Sequence, residues 1–300
     1  MLWLGAQRGY LLDALTQVWV RVTGRGFDAA QHPWLDGPVG DSQRIGEDFF
    51  ERLAHRQGMN VRDGSGLLAD VSGLFVDDAS RRRLNASVAE FYEQTASYRI
   101  DAWADWSGKF RPFGRLLASF FSRRLEQLNV PLHGLETSRG MTSRILDVLD
   151  AEGRVVNVAW VRTLKDTGRV VYCGTYSVCT VPGFPGACLK VCFPLPNGNA
   201  TVVLWPNVEE DGSLVLTSSG KGFGDPGFYF VVRRGNASFA RYVRAMRERI
   251  HVYVGTEGEV RADHDLRLFG KTFLRLHYRL TRLATHHDSG AAHEAAPVVP

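Results

Sequence analysis

The chain has 300 residues, 44% of them hydrophobic, and a formal net charge of +4. That length and apolar content can bury a sizeable core, as two domains or one large one, and exclude a chain that is disordered throughout. The small charge, carried mostly by arginine, gives no footprint of a nucleic-acid-binding protein.

Residues Leu2 to Val22 place Leu4, Leu11, Leu15, Val18 and Val22 at helical spacing, which predicts an amphipathic helix docked by that face. The alternative is an interfacial anchor using Trp3, Tyr10 and Trp19, and hence a peripheral membrane contact. Gln7, Arg8 and Asp13 interrupt the apolar start, so no signal peptide is expected. No run of about 18 apolar residues exists either, so the expectation is a cytoplasmic protein without a transmembrane helix.

Gly24 to Gly40 reads as loop. Asp41 is the expected cap of a helix carrying Phe49, Phe50, Leu53 and Ala54 and ending at Gly58. Arg81 to Arg83 reads as a solvated helix face, and Asn85 as the cap of a helix carrying Val88, Phe91, Tyr92 and Thr95. The stretch YRIDAWADW follows, with Tyr98, Trp103 and Trp106 interleaved with Asp101 and Asp105. It reads either as the aromatic wall of a small-molecule site or as a linker packing its rings under a sheet. Pro112 opens a further helix, with an apolar band from Phe113 to Leu128, that ends at Asn129.

From Thr137 the apolar period changes to two. Strands are predicted over 139–149, 154–164, 170–181, 213–219, 228–233, 250–254, 259–269 and 273–280, joined by turns such as Ala151-Glu152-Gly153 and Thr256-Glu257-Gly258. Residues 239–246 suit helix or strand. The clearest hairpin is Cys188 to Trp205, with Leu189, Val191, Phe193, Leu195, Val202 and Leu204 on one apolar face. A four-residue loop, Pro196 to Asn199, keeps Pro194 and Pro196 out of donating positions and sets Leu195 opposite Ala200. The organisation is therefore a mainly helical region, 1–133, a sheet region, 134–283, and a disordered tail, 284–300. The fold class is α+β, with N-terminal helices packed on a large curved antiparallel β-sheet or barrel of about ten strands.

The four cysteines, Cys173, Cys179, Cys188 and Cys192, are spaced unlike zinc ligands and read as buried free thiols; no metal or other cofactor is expected. No catalytic signature motif is present. The turn at Thr256 to Gly258 pairs His251 with Asp263, while His264 and His277 project from neighbouring strands, so a carboxylate-oriented histidine is the candidate acid/base unit. The ordinary alternative is a cross-strand pair on the wet face of a sheet. His264 also breaks the apolar set Val260, Ala262, Leu266 and Leu268, which would put one polar group inside. In GKGFGDPGFYF, Asp225 and Tyr229 sit in a glycine-rich loop that reads as a lid over a barrel mouth or as a corner between strands.

Three stretches, FYEQTASYRIDAW, FFSRRLEQLNVPLHGLETSRGMTS, and VCFPLPNGNATVVLWP with GSLVLTSSGKGFGDPGFY, resemble an uncharacterised family of bacterial proteins, from about Val39 to Arg282. The resemblance implies a soluble bacterial protein and carries no activity, cofactor or substrate. The function expected on fold grounds is binding of a small apolar molecule in a helix-covered sheet, with Tyr98, Trp103, Trp106, Asp225 and Tyr229 as ligand contacts. The rivals are a hydrolase, isomerase or cyclase using His251, His264 or His277, and a membrane-peripheral interaction protein.

Overall fold

The computed structural model describes residues 3–4, 10–41, 45–107 and 140–283. The helix expected from Pro112, the boundary near residue 134 and the tail from residue 284 lie outside these. In chain order the elements are α1 (Leu11–Thr23), β1 (Arg25–Phe27), α2 (Phe49–Gln57), β2 (Asn60–Asp63), α3 (Asp78–Arg83), α4 (Ala86–Glu93) and β3 (Tyr98–Trp106). Then come β4 (Met141–Leu149), β5 (Val155–Leu164), β6 (Val170–Cys179), β7 (Cys188–Leu195), β8 (Gly198–Val208), β9 (Leu214–Thr217) and β10 (Phe228–Arg234). The last four strands are β11 (Ala237–Tyr242), β12 (Met246–Val254), β13 (Val260–Leu268) and β14 (Lys271–Arg282).

The 14 strands among the described residues join one sheet in the order β2-β4-β5-β6-β7-β8-β9-β12-β13-β14-β3, with β10, β11 and β1 branching from β8. The branch has a simple cause. The first half of the long strand β8 pairs with β10 and its second half with β9, so two strand systems diverge from it. The sheet is curved but open, with β2 and β3 at its ends. The ends still approach each other, because Tyr98 and Ile100 of β3 share a core with Met141 and Ile145 of β4. The α+β class therefore stands, with more strands than the expected ten.

The extra strands come largely from the N-terminal half. The aromatic stretch Tyr98 to Trp106 is neither linker nor loop but β3, laid antiparallel along the C-terminal strand β14. Its alternation is visible in retrospect: Tyr98, Ile100 and Trp106 are buried, while Arg99 and Trp103 are exposed.

The β7–β8 hairpin has the predicted faces but a different turn. Leu195 pairs with Gly198, Phe193 with Ala200 and Val191 with Val202, so the loop is Pro196-Asn197 and not four residues. Asn197 adopts the left-handed conformation at φ 58° that this short loop requires. Beside a two-residue loop the first pair exchanges hydrogen bonds and the next does not, so Pro194, opposite Asn199, loses no bond to β8. Gly198 is required for a separate reason: a Cβ there would lie 1.9 Å from the Val231 carbonyl oxygen of β10. The reverse face of the hairpin is covered as well. Lys190 is buried, and its Nζ donates to the carbonyl of Asp36 at 2.8 Å.

Among the described residues, three larger apolar clusters and a small one at Trp106 pack on the sheet. The largest fills the concave side, where α4 and the segment from Leu67 to Phe75 pack onto β4 to β8 and β12 to β14. On the convex side, α2 sets Phe49, Phe50, Leu53 and Ala54 on Leu146, Val148, Ala159 and Val161. Gly58 ends that helix at φ 67° as expected, but the helix starts after Asp48 and not at Asp41. A second convex cluster joins Trp34 and Leu35 to Val203, Tyr229 and Val231.

Helix α1 docks the opposite way round from the sequence expectation. Its buried residues are Asp13 and Val20, while Leu11, Leu15, Val18, Trp19 and Val22 face outward, Val22 with 77% of its surface exposed. The docked side is mixed: Val20 is fully buried, and Gln17 Nε2 donates to the Pro196 carbonyl of the hairpin turn at 3.2 Å. No helix among the described residues is long and apolar enough to cross a membrane.

The four cysteines carry thiols and not disulfides, and the Cys173 thiol donates to the Gly46 carbonyl at 3.8 Å. Burial pushes the Cys179 and Cys192 thiols up to about 11 and Cys188 up to about 12. The folded protein at pH 8 should resist a thiol reagent, and the urea-unfolded protein should titrate four thiols without reductant. Because these folded pKa values lie above the unfolded value, their contribution to stability is intact below about pH 9 and is lost as pH rises toward 11 to 12. Rapid native-state labelling at pH 8 would contradict the burial.

Candidate functional site

The concave side retains a cavity of about 100 Å³. Its roof is Leu67 with Phe91 and Tyr92 of α4, and its floor is Leu189 and Val191 of β7, Val202 and Leu204 of β8, Leu216 of β9 and Val252 of β12. The floor exists because inward positions on these strands alternate as branched aliphatics, the pattern that a sheet with one packed face demands. Asn85 builds the roof: its side chain accepts the Ser87 amide at 2.9 Å, which starts α4 where Phe91 and Tyr92 point down onto the sheet.

Polar groups gather at one side. Arg162 of β5 is only 5% exposed, and its guanidinium carbon sits 4.6 Å from the Trp160 ring centroid, 4.7 Å from that of Tyr172 and 5.5 Å from that of Tyr278. Trp160 is itself fixed by donating its Nε1 proton to Ser143 Oγ at 2.8 Å. Gly174 leaves the space that Phe193 uses to pack on Tyr172, since a Cβ there would fall 3.0 Å from the phenyl ring. Burial pushes the Tyr172 hydroxyl far above the ordinary phenol range and Tyr176 up to about 12, so both remain protonated donors.

On β12 and β13, His264 Nε2 lies 2.9 Å from Glu248 Oε2, with both side chains largely buried. His264 thus does sit inside, as its place among Val260, Ala262 and Leu266 suggested. The pair lines the cavity wall next to an apolar space.

The other predicted acid/base residues lie on the convex face and not with His264. The register pairs His251 with Asp263 and Asp263 with His277, as the turn implied. Asp263 nevertheless bonds His277 Nδ1 at 2.7 Å and the Tyr253 hydroxyl at 3.2 Å, while His251 Nε2 meets Ser213 Oγ at 2.9 Å and its ring stacks on Tyr253. The Ser213 hydroxyl also donates to the Asp211 carboxylate at 2.6 Å. Desolvation, then the nearby Arg249, holds the His251 imidazole below its usual range.

None of the five residues expected to contact a ligand lines this cavity. Trp106 is buried against Phe273 and Leu274 in a cluster of its own, and Trp103 is 49% exposed, because strand alternation throws them to opposite faces of β3. Tyr98 packs on Phe91 inside the core, and its hydroxyl donates to Glu90 at 3.3 Å. Asp225 and Tyr229 hold their own loop together. The Asp225 carboxylate accepts the amides of Lys221 and Gly222, and the Tyr229 hydroxyl accepts from Gly224 and donates to the Asp225 carbonyl. That loop is a corner on the convex cluster, not a lid. The sequence reading missed Arg162, Tyr172, Tyr176, Tyr278 and Glu248. The available signal was Val158, Trp160, Arg162 and Leu164, an arginine in the inward register of an otherwise apolar strand.

No protein-family model matches the chain, and no solved structure matches it. The chain resembles a bacterial membrane protein of uncharacterised function. It is 31% identical over 278 residues to the uncharacterized membrane protein YndJ of Bacillus subtilis (strain 168), an alignment covering 92% of this chain and 48% of YndJ. The chain therefore spans about half the length of the curated relative it matches. The match agrees with the resemblance to an uncharacterised bacterial family, while the description of YndJ as a membrane protein does not support the soluble, cytoplasmic protein expected from the sequence.

Proposed function

We propose that this chain is a binding module whose concave cavity takes a small apolar molecule. The observation that carries this reading is the cavity itself, roofed by α4 and floored by aliphatic side chains. A ligand that binds only the folded state raises its stability in proportion to RT ln(1 + [L]/Kd). Indole or toluene at saturating concentration should therefore raise the melting temperature by a few degrees, and no shift with any probe of that size would count against the pocket.

A second reading is favoured by α1. Leu11, Leu15, Val18, Trp19 and Val22 form an exposed apolar stripe, with Arg21 in the last turn and Arg241 beside the Trp19 ring. Together with the membrane-protein description of YndJ, this stripe supports a module that rests on a lipid surface. Vesicles rich in anionic lipid should then sediment the protein, and Leu15→Glu with Val18→Glu should release it. Equal binding by the double variant would remove this reading.

A further inference from the structure

We infer that the cavity is selective for a small monocarboxylate with an apolar body, its head group held by Arg162. The inference rests on the binding reading above and extends it to the chemistry of the ligand.

Arg162 is the reason. It is nine-tenths buried, its Nε has no hydrogen-bond partner, and among the described residues no carboxylate pairs with it. Aromatic faces offset part of the cost of burying a guanidinium but accept none of its five N–H donors in the plane of the fork. A buried cation left in this state calls for an anion, and the planar fork fits a carboxylate through two parallel bonds. Glu248, the only acid among the described lining residues, does not serve, because it is engaged by His264. Tyr172, Tyr176 and Tyr278 line the same cavity, the Tyr172 and Tyr278 rings beside the guanidinium, and add hydroxyl donors that suit an anion.

Size sets the rest of the ligand. A dry cavity of about 150 Å³ accepts benzene, so about 100 Å³ holds a short branched chain outright and a single ring only with part of it at the opening, and it excludes a long acyl tail.

Isothermal titration with benzoate, cyclohexanecarboxylate, benzamide and benzylamine tests this. The two carboxylates should bind wild type at least about tenfold more tightly than benzamide, with benzylamine weakest. Arg162→Met, shown by its melting transition to be folded, should lose that preference while still binding benzamide. Benzamide binding as tightly as benzoate, or a preference that survives in Arg162→Met, would overturn the head-group assignment and leave the apolar pocket standing. Failure of all four probes on wild type would overturn the pocket as well. A cavity-filling variant, Ala262→Leu, should weaken all probes alike; undiminished carboxylate binding there would move the site elsewhere.

Discussion

Tyr229→Ala will lower stability by about 3 to 5 kcal/mol, the cost of deleting a large buried aromatic side chain. The ring is fully buried and packs edge-on against Trp34 at 5.3 Å and Tyr242 at 5.1 Å, so its removal opens a hole between β10, β11 and the segment around Pro33. Its hydroxyl also ties down the 220–227 loop. Tyr229→Phe keeps the ring and loses only those bonds, and should cost about 1 kcal/mol. Urea midpoints of the two variants separate packing from hydrogen bonding. A loss under 1 kcal/mol for the alanine variant would return Tyr229 to the role of an accessible ligand contact.

Arg162→Met is expected to stabilise the free protein, an unusual direction for a change at a buried site. Desolvating a guanidinium without a counter-ion costs several kcal/mol, and cation–π contacts return about 2 kcal/mol or somewhat more when desolvated. Methionine has a similar reach and fills the aromatic cage without a charge. The net gain should be about 1 kcal/mol or more, read as a rise of about 2 to 4 °C in melting temperature. A loss of more than 1 kcal/mol would mean that Arg162 is a structural residue, already compensated by the fold.

Much of the sheet was legible because a half-buried strand writes its burial into a period of two. Leu189, Val191, Val202 and Leu204 were assigned to the correct face even though the turn between them was misread. The register error of two residues leaves the faces unchanged, since only an odd slip exchanges them. What failed was the treatment of aromatic and acidic residues as site chemistry when their alternation already marked a strand. In YRIDAWADW the buried set is every second residue, and the pairing partner, β14, lies more than 160 residues further on, beyond the reach of any local pattern. The orientation of α1 was hidden for a related reason: an apolar stripe does not say which surface covers it, and here the side inward is the one carrying Asp13, Gln17 and Val20.

The cavity was the least legible part. It is assembled from β5 to β9, β12 to β14 and α4, and its decisive residue is a single arginine in a strand whose other inward residues are apolar. His264 was flagged by the same kind of break in pattern, in the sequence as in the structure. Arg162, between Trp160 and Leu164 of β5, gives an equal signal. A polar residue in the inward register of an otherwise apolar strand thus proved a better pointer to the cavity than aromatic composition.

The central claim, a ligand-holding cavity beneath α4, is tested most directly by native mass spectrometry of the protein purified from its own host, alongside Ala262→Phe. Wild type should carry a stoichiometric small molecule that dissociates on unfolding, and the filled variant, folded by its melting transition, should emerge without it. A wild-type mass equal to that of the bare chain, or a molecule retained equally by Ala262→Phe, would contradict the account.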